Sequence, residues 1–299
     1  MYTIEQITTK GTTYLELSNS NHSSILRIFP SLGGSLQELI LNSKSIIKDL
    51  SPLNYETSYA SSILFPFVNR VKNGTYTFKR KRYVLDLNQK EENNALHGLV
   101  FNKEFKIFKK ETSDILASVI LEYDETQEVK GFPYQYSIRL TYTLRGHTVI
   151  VTVSVMNKSS NPFPFNVGWH PYFFSSDLFN SYLSFKSDRK LSFNEVMIPV
   201  KIKNIILDKE LQIKDRQFDD CYILNTNCVG FRTPDYKIKI SSTSDENYLQ
   251  VFTPDKENTI AIEPITGPSD SFNNKLGLQV LNTNETYRVS WTIKLLDDE

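Results

Sequence analysis

Cysteine is scarce in this chain of 299 residues, which contains only Cys221 and Cys228. Two cysteines are too few for a disulfide framework, and their separation does not match the two-residue spacing of a zinc knuckle. We therefore expect two ordinary thiols and no metal site. A glycine-rich dinucleotide fingerprint and a P-loop are also absent, so no nucleotide cofactor is expected.

An excess of charge of either sign is lacking as well, because lysine plus arginine and aspartate plus glutamate number 34 each. Such a chain has no overall positive field for a phosphate backbone, and nucleic acid is not an expected partner. The sequence contains no run of about 18 apolar residues, and its N-terminus has no basic segment followed by an apolar stretch. These absences predict a soluble cytoplasmic protein without a membrane partner.

The residues that are abundant favour a large folded core, since 39% are hydrophobic and 12% are aromatic. Their local pattern has period two, in short segments of Val, Ile, Thr, Tyr and Phe, which is typical of β-strands. No stretch rich in proline, glycine or serine divides the chain, so we expect one domain over residues 1–299. The pattern predicts an all-β sandwich.

Two hairpins are predicted. Residues 137–144 and 148–156 flank a connection that contains Gly146, which allows a positive φ. Residues 75–78 and 83–87 flank four consecutive cations at 79–82, which we expect at a solvated turn. One short helix is predicted at residues 55–64, and further strands are predicted at 25–29, 117–123, 221–224, 237–241, 249–252, 259–263 and 287–295.

The four histidines lie in different settings. His22 and His147 belong to polar connections and are expected at the surface. His97 has apolar neighbours and precedes Gly98, which permits close approach of backbone or ligand. His170 is the centre of an aromatic-rich stretch. The last two histidines are open to two interpretations, core residues with satisfied nitrogens or an acid-base pair that works with a carboxylate near neutral pH.

Glu263 is the clearest carboxylate candidate, because it follows the apolar run of residues 259–262 and precedes Pro264. Proline cannot continue a central ladder, so we expect Glu263 at a strand end, either in a site or at a solvated rim. Asp219 and Asp220 begin another apolar segment, and adjacent residues of a strand point to opposite faces. Arg70 is either a surface cation or a member of the site.

Five short motifs follow one another along the chain: Asn69-Arg70-Val71-Lys72-Asn73-Gly74, Leu96-His97-Gly98, His170-Pro171-Tyr172-Phe173, Phe218-Asp219-Asp220 and Ile262-Glu263-Pro264. Each motif is weak alone, but their order and separations make a more specific signal. Over about residues 20–295 the chain resembles the aldose 1-epimerase, or galactose mutarotase-like, family. The resemblance implies a large antiparallel β-sandwich of the supersandwich type, without a cofactor, which interconverts the α and β anomers of a hexose.

The resemblance also implies a role for each motif residue. Glu263 is similar to the general base that removes the anomeric proton, and His170 to the general acid that protonates the ring oxygen. The residues that resemble the family's sugar-binding groups are Arg70, His97, Asp219 and Asn69. Two aromatic residues, Trp169 and Tyr172, are expected either to pack on the apolar face of the sugar or to fill the sandwich core.

Three further points of function stay open at this stage. The motif around His170 resembles the divergent branches of the family, so a hexose 6-phosphate is an alternative substrate, with the cations at 79–82 as a candidate phosphate site. A carbohydrate-binding protein without turnover is a second alternative. A glycoside hydrolase fits less well, because it needs two carboxylates about the scissile bond. The expected partner is a sugar, and the expected state is a monomer or weak homodimer.

Overall fold

The computed structural model describes residues 1–9, 11–207 and 209–297. Over these residues the chain forms 28 β-strands and two helices of four residues each. The all-β prediction is therefore confirmed. Neither helix in the described part of the chain has the length or the apolar character needed to cross a membrane.

Three large sheets contain most of the strands in the described ranges. The first sheet has the order β1 (Thr3–Thr9), β2 (Thr12–Ser18), β3 (Ile25–Phe29), β4 (Ser35–Leu41) and β5 (Lys44–Ile47). The second has nine strands in the order β11 (Lys106–Thr112), β12 (Ala117–Glu125), β13 (Tyr136–Arg145), β14 (Thr148–Asn157), β28 (Thr286–Leu296), β24 (Lys237–Ser242), β23 (Cys228–Arg232), β18 (Tyr182–Ser184) and β21 (Leu211–Gln212).

The third sheet, which we call the site sheet, has eight strands. Its order is β20 (Pro199–Asn204), β19 (Arg189–Phe193), β22 (Asp219–Ile223), β25 (Tyr248–Phe252), β26 (Thr259–Ile265), β16 (Gly168–Trp169) and β6 (Ile63–Leu64), with β17 (Tyr172–Phe174) also paired to β26. Smaller pairs and the two helices complete the described chain: β7 (Arg70–Lys72) with β10 (Asn94–Leu96), β8 (Thr75–Phe78) with β9 (Lys81–Val84), β15 (Phe163–Phe165) with β27 (Gln279–Leu281), α1 (Tyr55–Ser58) and α2 (Ser271–Asn274).

The main core lies between the nine-stranded sheet and the site sheet. Trp169 of the site sheet stacks on Trp291 of β28 with ring centroids 6.2 Å apart, and Phe173 packs edge-on against Phe231 at 6.1 Å. Alternate residues of β14 and β28 are fully buried on the facing side, as period-two patterning predicts. One face of the site sheet therefore packs in the core, and the opposite face carries the candidate site.

The longer predicted hairpin is confirmed. β13 and β14 pair in register from Tyr136 with Asn157 to Arg145 with Thr148, and Gly146 has a φ of 55° in the turn. The other predicted strands are also present, some longer than expected by a few residues. His22 and His147 are exposed, as predicted.

The shorter hairpin differs from its prediction at the turn. β9 begins at Lys81, and the turn is the pair Lys79 and Arg80, which have φ values of 46° and 64°. Tight hairpins usually place Asn-Gly or Asp-Gly at such positions. The sequence lacks that signal here, and the turn was therefore predicted too long.

The predicted helix over 55–64 is wrong beyond its first turn. Asn54 caps α1 through its side chain, which accepts a hydrogen bond from the Glu56 backbone N–H. The helix ends at Tyr59, whose φ of 52° is left-handed and closes the turn. Residues 63–64 then join the site sheet as β6.

Candidate functional site

Glu263 lies on β26, a strand of the site sheet in which every residue is buried. Its backbone pairs with Gln250 of β25, and its side chain is only 1% exposed. The two apolar neighbours on the same face, Ala261 and Ile265, each belong to a small cluster of buried side chains. A carboxyl group is thus placed in an apolar setting, where its charge is strongly disfavoured.

Pro264 does not end this strand, contrary to the sequence-based expectation. It pairs with Leu249 on one side, and on the other side the partner strand changes from β17, opposite Ala261, to β16, opposite Ile265. Pro264 lies between these two segments, where no ladder donor is required from it. Glu263 is therefore near the middle of a sheet instead of at a strand end.

His170 lies between β16 and β17 and faces Glu263. Its Nε2 is 3.4 Å from Oε1 of Glu263, and its side chain is buried. Two backbone hydrogen bonds fix the residue, from its N–H to the Ser62 carbonyl and from the Ser61 N–H to its own carbonyl. Its ring stacks on Tyr172 at 4.9 Å. The partner of β26 changes from β17 to β16 at this point, and His170 lies between these two partner strands.

His97 follows β10 and completes a cluster with His170 and Glu263. Its ring packs edge-on against His170 with centroids 5.1 Å apart and lies 4.6 Å from the ring of Tyr59. Its φ of 60° is left-handed, and its backbone N–H donates to the Asn69 carbonyl at 2.9 Å. At Gly98, which also has a positive φ, a Cβ would overlap the Phe65 carbonyl. Glycine is therefore required beside this histidine.

Burial shifts the pKa values of this cluster in the directions that favour the uncharged form of each group. Burial raises the pKa of Glu263 well above its ordinary value; Asp219 raises it further and Arg70 opposes the shift. Burial lowers the pKa of His170 to about 4. The pKa of His97 is lowered well below its ordinary value by burial, and in addition by His170 and Arg70. A buried carboxyl and imidazole with opposite shifts are suited to exchanging protons with a bound molecule.

Arg70 lies near the cluster, where its charge opposes the raised pKa of Glu263 and adds to the lowering of the His97 pKa. Its Nε donates to Oε1 of Gln89 at 2.9 Å. Burial lowers its pKa, while Asp219, Glu92 and Glu263 raise it. The guanidinium is therefore a partly desolvated cation close to several carboxylates.

Asp219, not Asp220, faces this cluster. Asp219 accepts a hydrogen bond from Nε2 of Gln250 at 2.7 Å, whereas Asp220 pairs with Lys190 at 2.9 Å on the opposite face of β22. Asp219 lies at the exposed rim, but the protein around its carboxylate raises its pKa by desolvation, and Arg70 opposes that shift. The alternation of a strand thus separates the two adjacent acids.

The remaining predicted residues have different surroundings. Asn69 is buried, and its Nδ2 donates to Oε1 of Gln250 at 3.4 Å. Tyr172 is buried behind His170, and its hydroxyl donates to the Ser58 carbonyl. Of the two positions expected for Trp169, the structure shows the sandwich core, because this residue is 0% exposed and stacks on Trp291. It precedes His170 directly, and adjacent residues face opposite ways.

Sequence patterns missed Gln250, Gln89 and Tyr59, which contact the predicted residues. Gln250 carried a usable signal, because it interrupts the apolar strand of residues 248–252 as Glu263 interrupts its own strand. Gln89 and Tyr59 carried none, since their contacts depend on pairing of distant segments. The described residues include no group of three or more His, Cys, Asp or Glu side chains arranged to hold a metal ion.

Three buried polar atoms of the cluster have no hydrogen-bond partner among the described residues: Nδ1 of His97, Nδ1 of His170 and Oε2 of Glu263. Buried polar groups are normally paired, and each one left unpaired is unfavourable. Their concentration at one place indicates a site built for a polar ligand.

Comparison with known proteins identifies relatives in sequence and in structure. The chain is 22% identical over 298 residues to the uncharacterized protein YihR of Escherichia coli (strain K12), covering 95% of this chain and 93% of that protein. A galactose mutarotase of Rattus norvegicus is 27% identical over 152 residues, which cover 48% of this chain and 42% of the relative. The solved structure of a galactose mutarotase-like protein from Clostridium acetobutylicum superposes with a TM-score of 0.89 at 20% identity, covering 99% of both chains.

This structural likeness shows the fold, which is that of the galactose mutarotase-like proteins. The sequence model of the family described as aldose 1-epimerase matches residues 14–294. That range includes all five motifs and every residue of the cluster. The protein therefore belongs to the aldose 1-epimerase family, a class of isomerases.

Proposed function

We propose that the protein is an aldose 1-epimerase that interconverts the α and β anomers of a hexose by acid-base catalysis. The observation that carries this proposal is the buried contact of His170 with Glu263, whose Nε2 and Oε1 atoms are 3.4 Å apart. Mutarotation needs one proton removed from the anomeric hydroxyl and one delivered to the ring oxygen. A carboxyl and an imidazole that share one proton supply both functions.

In the proposed reaction, the proton that rests on the Glu263 carboxyl first passes to the His170 imidazole. The Glu263 carboxylate then takes the proton of the anomeric hydroxyl while the His170 imidazolium protonates the ring oxygen. The bond between carbon 1 and the ring oxygen breaks, and the open-chain aldehyde forms. Rotation about the bond between carbons 1 and 2 presents the other face of the aldehyde. Ring closure then proceeds with the two proton transfers reversed, so the pair returns to its starting state.

The surrounding groups fit the needs of a sugar. Arg70, His97 and Asp219 offer donors and an acceptor for hydroxyl groups, and the Arg70 cation can stabilise negative charge as the ring opens. General acid-base catalysis of this kind contributes roughly 10²- to 10⁴-fold for each positioned group.

The structure does not favour a phosphorylated substrate through the cations at 79–82. All four side chains are exposed on the hairpin of β8 and β9, and two of them lie over aromatic rings of that hairpin, Lys79 over Phe78 and Lys81 over Tyr83. Lys79 and Arg80 form a solvated turn, and Lys81 and Arg82 are the first two residues of β9. An unphosphorylated hexose is therefore the substrate class that we propose.

The test is anomer equilibration of freshly dissolved α-glucose, α-galactose and glucose 6-phosphate, followed by polarimetry or NMR, with wild type beside Glu263→Gln. We expect acceleration by the wild type and a loss of at least about 10²-fold in kcat for Glu263→Gln, because the amide keeps the shape but cannot accept the proton. Binding of the sugar should persist in the variant. Acceleration of no sugar by the wild type would contradict the proposed activity, and an undiminished variant would contradict the role of Glu263.

A further inference from the structure

Two residues beside the site, Asn88 and Gln89, lie in the connection between β9 and β10 and outside the five sequence motifs. Backbone hydrogen bonds in both directions join Gln89 to Asn94, at 3.1 and 3.0 Å. Asn94 is the first residue of β10 and is buried. Gln89 is therefore tied to the strand that precedes His97.

Gln89 determines how Arg70 is held. Its Oε1 accepts from Nε of Arg70 at 2.9 Å. No carboxylate in the described ranges lies within 4.0 Å of the Arg70 guanidinium nitrogens. Gln89 thus occupies the inner nitrogen and leaves the two terminal nitrogens for a ligand, in the planar geometry that arginine offers to oxygen groups.

Asn88 holds the residue that precedes His97. Its Oδ1 accepts from the Leu96 backbone N–H at 2.7 Å, and its Nδ2 donates to the Leu96 carbonyl at 2.9 Å. The same Nδ2 lies 3.3 Å from the hydroxyl of Tyr59, whose ring packs on His97. Since His97 has a left-handed backbone, its direction depends on how well the preceding peptide is fixed.

We propose that Asn88 and Gln89 are positioning residues, which hold His97 and Arg70 in the arrangement that the sugar requires. The proposal rests on the proposed function and adds two residues to it. Gln89 acts through Arg70, and Asn88 acts through the backbone and ring packing of His97. Neither residue transfers a proton itself.

The experiment compares Gln89→Ala, Gln89→Glu and Asn88→Ala with two control variants. In the controls, a side-chain amide that donates to a backbone carbonyl elsewhere is removed: Asn227→Ala, which loses a bond to Ser242, and Gln135→Ala, which loses one to Thr126. For each variant, kcat and KM on the sugar that wild type accelerates most are measured beside thermal unfolding. The histidine imidazole ¹⁵N shifts are recorded without sugar.

We expect Gln89→Ala to raise KM about tenfold and Asn88→Ala to lower kcat/KM about tenfold, the range for losing a hydrogen bond to a charged or buried group. Gln89→Glu keeps an oxygen acceptor for Arg70 and should stay within about threefold of wild type. The controls should change thermal stability only. Asn88→Ala should also shift the imidazole signals of His97, which Asn227→Ala leaves unchanged.

Wild-type kcat/KM in both alanine variants, or equal losses in the controls, would overturn the positioning roles. If wild type accelerates no sugar, the proposed function fails by itself. The imidazole shifts then decide the inference for Asn88, and unchanged His97 signals in Asn88→Ala would refute it. For Gln89, the deciding measurement is galactose binding by line broadening: weaker binding in Gln89→Ala than in Gln135→Ala supports the role, and equal binding or equal absence of binding overturns it.

Discussion

At the scale of single residues, the site depends on burial that shifts two pKa values in opposite directions. A solvated carboxyl and a solvated imidazole differ by about two pKa units, with the imidazole higher. Burial raises the pKa of Glu263 and lowers that of His170. A single proton of the pair therefore rests on Glu263 in the site without a ligand, and its transfer to His170 prepares the pair for the proposed reaction.

The lowered pKa of His170 predicts an acid-dependent stability. Its ordinary value is 6.5 and its value in the folded protein is about 4. Between these pH values the unfolded chain binds a proton that the native chain does not, so acidification lowers the free energy of unfolding. We expect wild type to lose on the order of 1–3 kcal/mol more than His170→Asn between pH 6.5 and pH 4.

Urea denaturation of both proteins across this range measures the effect. Glu263 acts in the opposite direction, because the native chain keeps its proton above pH 4.5, and this residue is present in both proteins. The exposed His147→Asn is the matched control and should behave as wild type does. Parallel curves for wild type and His170→Asn would show that burial does not depress the histidine pKa.

The sequence located the members of the cluster better than it located their surroundings. Glu263, His170 and His97 were singled out by their apolar settings and by the motifs, and the structure brings them together. Their catalytic and binding roles stay predictions. The motif left two positions open for Trp169, because a motif names neighbours along the chain, whereas the direction of each side chain follows from strand alternation, which the motif does not state.

At the scale of elements, short strands and irregular connections position the groups. The structure places Asn69 and His97 in left-handed conformations at the same end of the β7 and β10 pair, with φ values of 50° and 60°. Such residues are uncommon outside glycine and are often found at functional sites. No pattern of hydrophobicity encodes them, and the turn at Lys79 was missed for the same reason.

Gly98 provides a test of this local geometry. Gly98→Ala should lower the free energy of unfolding by roughly 2–4 kcal/mol, because a Cβ would overlap the Phe65 carbonyl in addition to straining a φ of +77°. The matched control is Gly11→Ala, where φ is +80° and, its chain neighbours aside, no atom of the described residues lies within 4 Å of the added Cβ. This control should lose only about 1 kcal/mol.

Chemical denaturation gives both values, and anomer equilibration shows whether Gly98→Ala also displaces His97. A loss of stability in Gly98→Ala no larger than that in Gly11→Ala would mean that the backbone beside His97 can move to accommodate the added Cβ. The tight approach to Phe65 would then have no structural importance.

At the scale of the whole molecule, two sheets share one core, and the stacked pair Trp169 and Trp291 crosses between them. The sequence predicted strands but not their order, because neighbours such as β14 and β28 are more than a hundred residues apart along the chain. Pairing of this kind depends on the shape of the complete core and leaves no local signature.

The inter-sheet contact predicts a global effect for one substitution. Trp291→Ala should lower the free energy of unfolding by about 3–5 kcal/mol, since a fully buried ring is lost from between the sheets. The anomer equilibration rate of the protein that remains folded should be close to that of wild type. Far-UV circular dichroism in urea measures stability, with Phe108→Ala, at a side chain 52% exposed, as the control. A loss below 1 kcal/mol for Trp291→Ala would mean that the two sheets do not depend on this pair.

The change of partner strand along β26 has a consequence for how such a protein can diverge. Glu263 and His170 are fixed by main-chain pairing in the middle of a sheet, whereas Asp219 and Gln89 belong to a strand end and a connection. Substitutions, insertions and deletions accumulate most easily in connections. Under the proposed function, descendants of one ancestor can therefore acquire different sugar preferences by changing the rim, while they inherit Glu263 and His170 without alteration.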